Sequence, residues 1–213
     1  MVSVILPSIR PKNCDQTIKK FYSSQCGYGV DFEMIRITDG NYGPTEAICR
    51  GEAKAKGEYL FRINDQVELT PGGLMKMVAF SKKHNDRIIV DQKTFPVSPL
   101  KYYGKTFSPY PFIHRKLCDE LGGYHLPEFK AFYADPDLSM RAHKAGIPII
   151  KCPGVAVKRN CKMTYEGHKE NVSKYYKQDM INFYMKWGVN GFEEIAPGRR
   201  SWLWCRFLEL LPY

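Results

Sequence analysis

Apolar and polar positions along the first half of the chain switch between a strand period and a helix period. Val2 to Leu6 is an apolar run interrupted by Ser3 and stopped by Pro7, which predicts a buried first strand. After the loop Pro7-Ser-Ile-Arg-Pro-Lys12, the residues Ile18, Phe21 and Tyr22 recur at helical spacing and predict a helix over Asp15–Ser24. Phe32–Thr38 predicts a second strand, which ends in the turn Asp39-Gly40-Asn41. Glu46–Lys56 predicts a helix whose small residues, Ala47, Cys49, Ala53 and Ala55, allow close packing on a sheet, with Gly57 as its stop. Tyr59–Ile63 is a third strand that runs into Asn64-Asp65-Gln66. Pro71 opens a helix with Leu74, Met77 and Val78 on one face, and Arg87–Asp91 is a fourth strand. This alternation predicts an α/β domain with a mostly parallel sheet. In such sheets ligands bind beyond the carboxyl ends of the strands, where Asp39 and Asn64-Asp65 fall.

The second half is less regular. Lys93–Pro111 carries four prolines and five aromatic residues, a pattern for loop or edge strand over a cleft. Phe112–Gly123 reads as a strand passing into a short helix with a glycine stop. Tyr133-Ala-Asp-Pro-Asp-Leu-Ser-Met-Arg141 then places an acidic pair, Asp135 and Asp137, where a loop becomes a helix. Pro136 suits the first helical position, which puts Asp135 at the N-cap, and Gly146 with Pro148 closes the helix. Two readings of the pair follow. Asp135 caps the helix while Asp137 pairs with Arg141 one turn on, or a carboxylate stands at the helix mouth facing a cleft. Ile147–Lys151 and Val155–Val157 read as short strands, Cys161–Lys169 as a polar stretch with His168, and Asn171–Trp187 as a long helix. The face of that helix is built from Val172, Tyr175, Tyr176, Met180, Phe183 and Tyr184.

Composition narrows the class. The 213 residues, 44% hydrophobic and 14% aromatic, suffice for one large domain with a buried core, or one domain with an appended tail. No stretch approaches the roughly 20 apolar residues of a transmembrane helix, and the N-terminal run is too short for a signal-peptide core. Seven cysteines without a Cys-x-x-Cys point to reduced thiols and a cytoplasmic setting. The net charge of +10 calls for an anionic partner such as nucleic acid, an acidic membrane or a phosphorylated small molecule. The basic residues are scattered, with Lys19-Lys20, Lys82-Lys83, Lys158-Arg159 and Arg199-Arg200 as doublets only, so a nucleotide ligand is expected and nucleic acid is not.

The order of motifs resembles that of family 2 glycosyltransferases. It consists of Val2-Ser-Val-Ile-Leu-Pro-Ser8, Ile37-Thr-Asp-Gly40, Ala55-Lys-Gly-Glu-Tyr-Leu-Phe-Arg-Ile-Asn-Asp65, Leu121-Gly-Gly-Tyr124 and Asp135-Pro-Asp-Leu-Ser-Met-Arg141, and Lys186-Trp-Gly188 adds to it. Within that group the chain resembles the amino-terminal domains of capsid-glycan glycosyltransferases of large chlorella viruses. That likeness implies a GT-A fold: an α/β domain over residues 1–190, with a Rossmann-like nucleotide-sugar half (about 1–92) and an acceptor half (93–190). It also implies that the chain is a fragment of a longer protein and that the apolar tail, 191–213, contacts a following domain. The setting would be cytoplasmic, the host cytoplasm if viral.

The same likeness assigns roles. Pro7, Ser8, Ile9, Arg10 and Asp39 would contact base and ribose, with an Asp-Gly turn as the competing reading of Asp39. Arg50 would reach the diphosphate or lie on a solvated helix face. Asn64-Asp65-Gln66 stands where the family has two or three acidic metal ligands. Here Asp65 is the only carboxylate, flanked by amides, and would hold Mn²⁺ or Mg²⁺ bridging the donor phosphates. His168 is a candidate second ligand, and Lys158 or Arg159 could neutralise diphosphate charge. Asp135 matches the base that deprotonates an acceptor hydroxyl as it attacks the anomeric carbon, with inversion. The family often has Glu before it, where this chain has Ala134. Gly123, Asp137 and Arg141 would support the acceptor side. The implied partners are a nucleotide-sugar, UDP-linked by family habit, and a glycan or glycoprotein acceptor.

Two other classes compete. A nucleotidyltransferase could share the fold, but Pro7-Ser-Ile-Arg10 lacks the glycines of its phosphate loop. A non-catalytic nucleotide- or glycan-binding module fits the amides at 64 and 66 and the alanine at 134. A membrane-peripheral role for Trp202–Leu211 is interrupted by Arg206 and Glu209, which favours an interdomain contact.

Overall fold

A computed structural model describes residues 1–8, 11–23, 26–38, 43–65, 67–95, 101–102, 105–159 and 172–195. Its elements are β1 (Val2–Pro7), α1 (Pro11–Ser23), β2 (Phe32–Ile37), α2 (Pro44–Lys54), β3 (Tyr59–Arg62), β4 (Val67–Leu69) and α3 (Gly73–Lys83). They continue as β5 (Ile89–Phe95), β6 (Lys101–Tyr102), β7 (Lys105–Thr106), β8 (Phe112–His114), α4 (Arg115–Glu120), α5 (Ala134–Lys144) and β9 (Ile149–Arg159). A π-turn over Val172–Tyr176 leads into the last helix, α6 (Lys177–Ile195). Seven strands form one sheet in the order β2-β1-β3-β8-β5-β9-β4, and β6 pairs with β7 as a separate ribbon. In the large sheet β8 and β4 run against the other five.

The alternation along β1 and β3 divides the core into two faces. Val2, Val4, Leu6, Tyr59 and Phe61 pack with Cys14 and Phe21 of α1 and Leu74 and Met77 of α3. Leu60 points the other way, with Ile113 and Ile89, onto Ile48 of α2, Leu117 of α4 and Leu138 of α5. Helices therefore cover both faces, as buried strands of parallel sense require. Of the small residues expected to pack α2 on the sheet, Ala47 is buried and Ala53 is exposed; the closest approach is at Gly51, where a Cβ would lie 2.4 Å from Ile5 Cγ2. A third cluster joins α5 to α6 through Phe129, Tyr133, Met140, Met180, Phe183 and Trp187.

Boundaries depart from the sequence pattern where backbone chemistry intervenes. Helices α1 and α2 start earlier than expected, at Pro11 and Pro44, because proline suits a first helical turn. Gly72, at φ +65°, delays α3 to Gly73 instead of Pro71. β5 extends to Phe95, and the two short strands expected between residues 147 and 157 are one, β9, with a register shift opposite Asp91–Lys93. β4 was not expected from the pattern. Among the described residues no helix is long and apolar enough to cross a membrane, and Cys14, Cys26, Cys49, Cys118 and Cys152 are free thiols.

Candidate active site

β3 ends in Arg62, which emerges from the sheet beside the Asn64-Asp65 turn. Its Nη1 donates to Asn64 Oδ1 (3.2 Å), and its Nη2 donates to Pro109 O (2.8 Å) and to Asp135 Oδ2 (2.7 Å). The Tyr124 hydroxyl accepts the Arg62 backbone N–H (3.2 Å) and donates to Pro111 O. Next along the chain, His125 is buried, with Nε2 2.9 Å from Asp135 Oδ1. His125 Nδ1 has no hydrogen-bond partner, and His125 Nε2 and Asp135 Oδ1 have only each other within reach.

Asp135 reaches this cluster from the first turn of α5, and not from the N-cap. The cap is Tyr133, in the left-handed region at φ +61°, so Ala134, Asp135 and Pro136 fill the first three helical positions. A tyrosine adopts that conformation only where its surroundings impose it. Here its ring packs on Phe183 (centroids 5.1 Å), and its hydroxyl lies 3.1 Å from that of Tyr176. The Asp135 side chain is 22% exposed. Burial pushes its carboxyl up, but the Arg62 charge and the His125 and Arg62 contacts outweigh that and hold it below its ordinary 3.8. Burial pushes His125 down from 6.5, leaving a neutral imidazole at neutral pH.

Asp135, Arg62 and His125 form the polar end of a pocket of ≈ 240 Å³. Its remaining walls are Pro44, Thr45 and Ile48 of α2, Ala131, Phe132, Tyr133, Ala134 and Pro136 leading into α5, and Tyr176 of the π-turn. An apolar, aromatic wall with a few convergent polar groups at one end is the usual form of a small-molecule site.

The other predicted residues divide. Ser8, at the end of β1 after Pro7, donates its hydroxyl to Asp65 Oδ2 (2.6 Å), which joins the β1 and β3 loops. Arg50 pairs with Glu46 one turn back on an exposed helix face and does not line the pocket. Lys158 is exposed on β9 opposite Glu68. Arg10, Asp39 and His168 lie outside the described residues, as do Ile9, Gln66, the tail beyond 195 and the side chain of Arg159.

Gly123, Asp137 and Arg141 form a brace. Arg141 donates to the carbonyls of Leu121, Gly123 (both 2.6 Å) and Tyr124 (3.2 Å), and its Nε donates to Asp137 Oδ2 (2.8 Å). Gly122 and Gly123, at φ +86° and +112°, let the turn offer those carbonyls. Trp187 Nε1 donates to Asp137 Oδ1 (2.9 Å), and Lys186 Nζ lies 2.9 Å from the same oxygen. Lys186-Trp187 therefore anchors α6 to α5.

Sequence reasoning missed Arg62, His125 and Asp179. A charge inside the apolar run of β3, next to the Asn-Asp turn, was the available signal for Arg62. None marked His125. Asp179 is fully buried in α6 and accepts the backbone N–H groups of Lys130, Ala131 and Phe132 (2.8–2.9 Å), fixing the pocket loop. Asp179→Asn keeps one acceptor oxygen and is expected to lower stability by about 1–2 kcal/mol. Urea titration checks the size of that loss.

The fold is the GT-A fold. Glucosyl-3-phosphoglycerate synthase from Mycobacterium tuberculosis, solved with Mn²⁺, UDP and glucosyl-3-phosphoglycerate, superposes with a TM-score of 0.62 at 13% identity. The match covers 89% of this chain and 80% of that one. TarS of S. aureus gives a TM-score of 0.51 at 12% identity, over 99% of this chain and 49% of that one. GalNAc-T7 with UDP, GalNAc and Mn²⁺ gives 0.54 at 14% identity, over 75% and 43%. The chain thus spans about half the length of the last two. No family model and no curated protein matches the sequence.

Proposed function

We propose that the chain is a glycosyltransferase moving a sugar from a nucleotide-diphosphate sugar, UDP-linked, to a glycan hydroxyl with inversion. One observation carries this reading. In a GT-A fold, the Asp135 carboxylate faces a mostly apolar pocket and is separated from the Asn64-Asp65 turn by a single guanidinium. Asp135 takes the proton of the acceptor hydroxyl while that oxygen attacks the anomeric carbon, and the nucleotide diphosphate departs from the opposite face. The aromatic wall excludes water and seats a sugar ring. The resemblance of the motif order to family 2 glycosyltransferases supports a glycan acceptor.

Asp65 suits a divalent cation that arrives with its substrate. Among the described residues no group of three or more His, Cys, Asp or Glu side chains could cage a metal. Mg²⁺-type sites commonly use one or two carboxylates plus substrate phosphates and water, a donor set that Asp65 and the neighbouring Asn64 amide can begin. The cation would stabilise charge growing on the leaving diphosphate. Asp65→Ala is accordingly expected to abolish the metal-dependent part of UDP affinity. Calorimetric titration with and without Mn²⁺ tests this, and equal affinities in the parent would remove the metal from the proposal.

Thermal stability against a panel of nucleotides and nucleotide-sugars, each with and without Mn²⁺, is the first test. A ligand at about 100 times its Kd adds about 2.7 kcal/mol. A shift with one diphosphate identifies the base for turnover assays. No shift with any nucleotide overturns the donor assignment in favour of a glycan-binding module.

A further inference from the structure

Beside the pocket Arg62 Nε is buried without a hydrogen-bond partner, as is His125 Nδ1, whereas His125 Nε2 and Asp135 Oδ1 face each other at 2.9 Å. Buried polar groups are almost always satisfied, so the open guanidinium edge of Arg62 marks a place for a polar ligand. Arg62 is the centre of the group. Its guanidinium touches Asn64 on the donor side through Nη1 and Asp135 through Nη2. Of the two Asp135 oxygens, Oδ1 is buried against His125, so Oδ2 alone can face the pocket, and Oδ2 is the oxygen Arg62 holds. In the free protein the base is therefore masked on its working side.

We propose that Arg62 is shared between the two substrates: it holds Asp135 in the free protein and transfers to the diphosphate of an incoming nucleotide donor, releasing the base only when donor is present. This inference rests on the donor reading above. An anion docking at the Asn64-Asp65 turn competes for the Nη1 contact, which at 3.2 Å is the longest of the three side-chain bonds Arg62 makes. Its Nε is already free to donate. A diphosphate offers the paired oxygens that a guanidinium fork prefers. Electrostatics sharpens the effect. Burial is the largest influence on Asp135 and raises its pKa, and the Arg62 charge is the largest influence opposing it. Once Arg62 turns to phosphate, burial dominates and Asp135 becomes a stronger base. The other ionisable groups facing it, His125 and Tyr124 from the segment after α4, are neutral around pH 7 and do not substitute for that charge. The consequence is an ordered reaction, with donor before acceptor, and little proton abstraction in the absence of donor.

A ¹³C carboxyl titration of Asp135 in the full chain, free and saturated with UDP and Mg²⁺, tests the transfer. The expected result is a midpoint that moves to higher pH on nucleotide binding. In Arg62→Gln the midpoint already lies high without nucleotide, UDP moves it no further, and the Kd for UDP rises about 10- to 100-fold. Arg62→Lys keeps the charge but loses the fork and gives an intermediate Kd. If Arg62→Gln does not fold, the parent's free and bound midpoints decide alone. UDP binding to the parent with an unmoved Asp135 midpoint overturns the inference while leaving the donor reading intact. Absence of UDP binding overturns the donor reading itself, and the inference with it.

Discussion

Asp135→Asn transfers sugar about 10²- to 10⁴-fold more slowly than the parent while binding UDP at least as well, the magnitude being that of a lost general base. Asparagine matches the shape of aspartate and still offers an oxygen to Arg62, so the cluster keeps its geometry and loses only the capacity to take a proton. With its counter-charge gone, Arg62 is freer to meet a diphosphate, and donor affinity holds or tightens. Initial-rate assays alongside calorimetric UDP titration separate the two effects. If Asp135 served only the helix end, as a first-turn carboxylate facing the helix dipole, the change would touch stability alone and transfer would be unchanged. The structure also fixes the pH behaviour. Asp135 is held below 3.8 when folded, so its pairing stabilises the fold fully above that ordinary value. That contribution is lost as pH falls through the depressed folded value. Asp135→Asn should therefore flatten the acid side of the stability profile, which urea melts across the acid range would show.

The fold was legible because its strands and helices carry their periods openly. Val2–Pro7, Phe32–Ile37 and Tyr59–Arg62 appear in the structure within a residue of where the apolar runs place them. β4 was not legible, since three residues carry no period. In β9, Pro153-Gly154 imitates a break that the sheet bridges with a register shift. The residue type at Asp135 was legible and its helical position was not, because tertiary packing on α6 holds Tyr133 in the left-handed region. Arg62 and His125 owe their roles to a partner 73 and 10 residues further along, and no local pattern encodes such pairings.

The largest stability effect is expected at the second aspartate of the same turn. Asp137 is fully buried and takes a bond from Arg141 Nε, a bond from Trp187 Nε1 and the charge of Lys186. Asp137→Ala strands Arg141, whose side chain is 10% exposed, and leaves the indole N–H without an acceptor. Breaking a buried pair in this way costs about 3–5 kcal/mol. For a chain of this length that lowers Tm by about 6–20 °C. The urea midpoint should fall with an unchanged slope if the denatured state is unaffected. Asp137→Asn, which keeps an acceptor for Trp187, should fall between Ala and the parent. Below the lowered Tm, transfer per folded molecule should stay close to the parent's, because Asp137 does not line the pocket. Two carboxylates two residues apart thus give different signatures: Asp135→Asn loses turnover far out of proportion to the stability lost with its charge pairing, and Asp137→Ala loses the midpoint with turnover kept. A variant pair in which Asp137→Ala abolished transfer at full stability would move the base from the first carboxylate to the second.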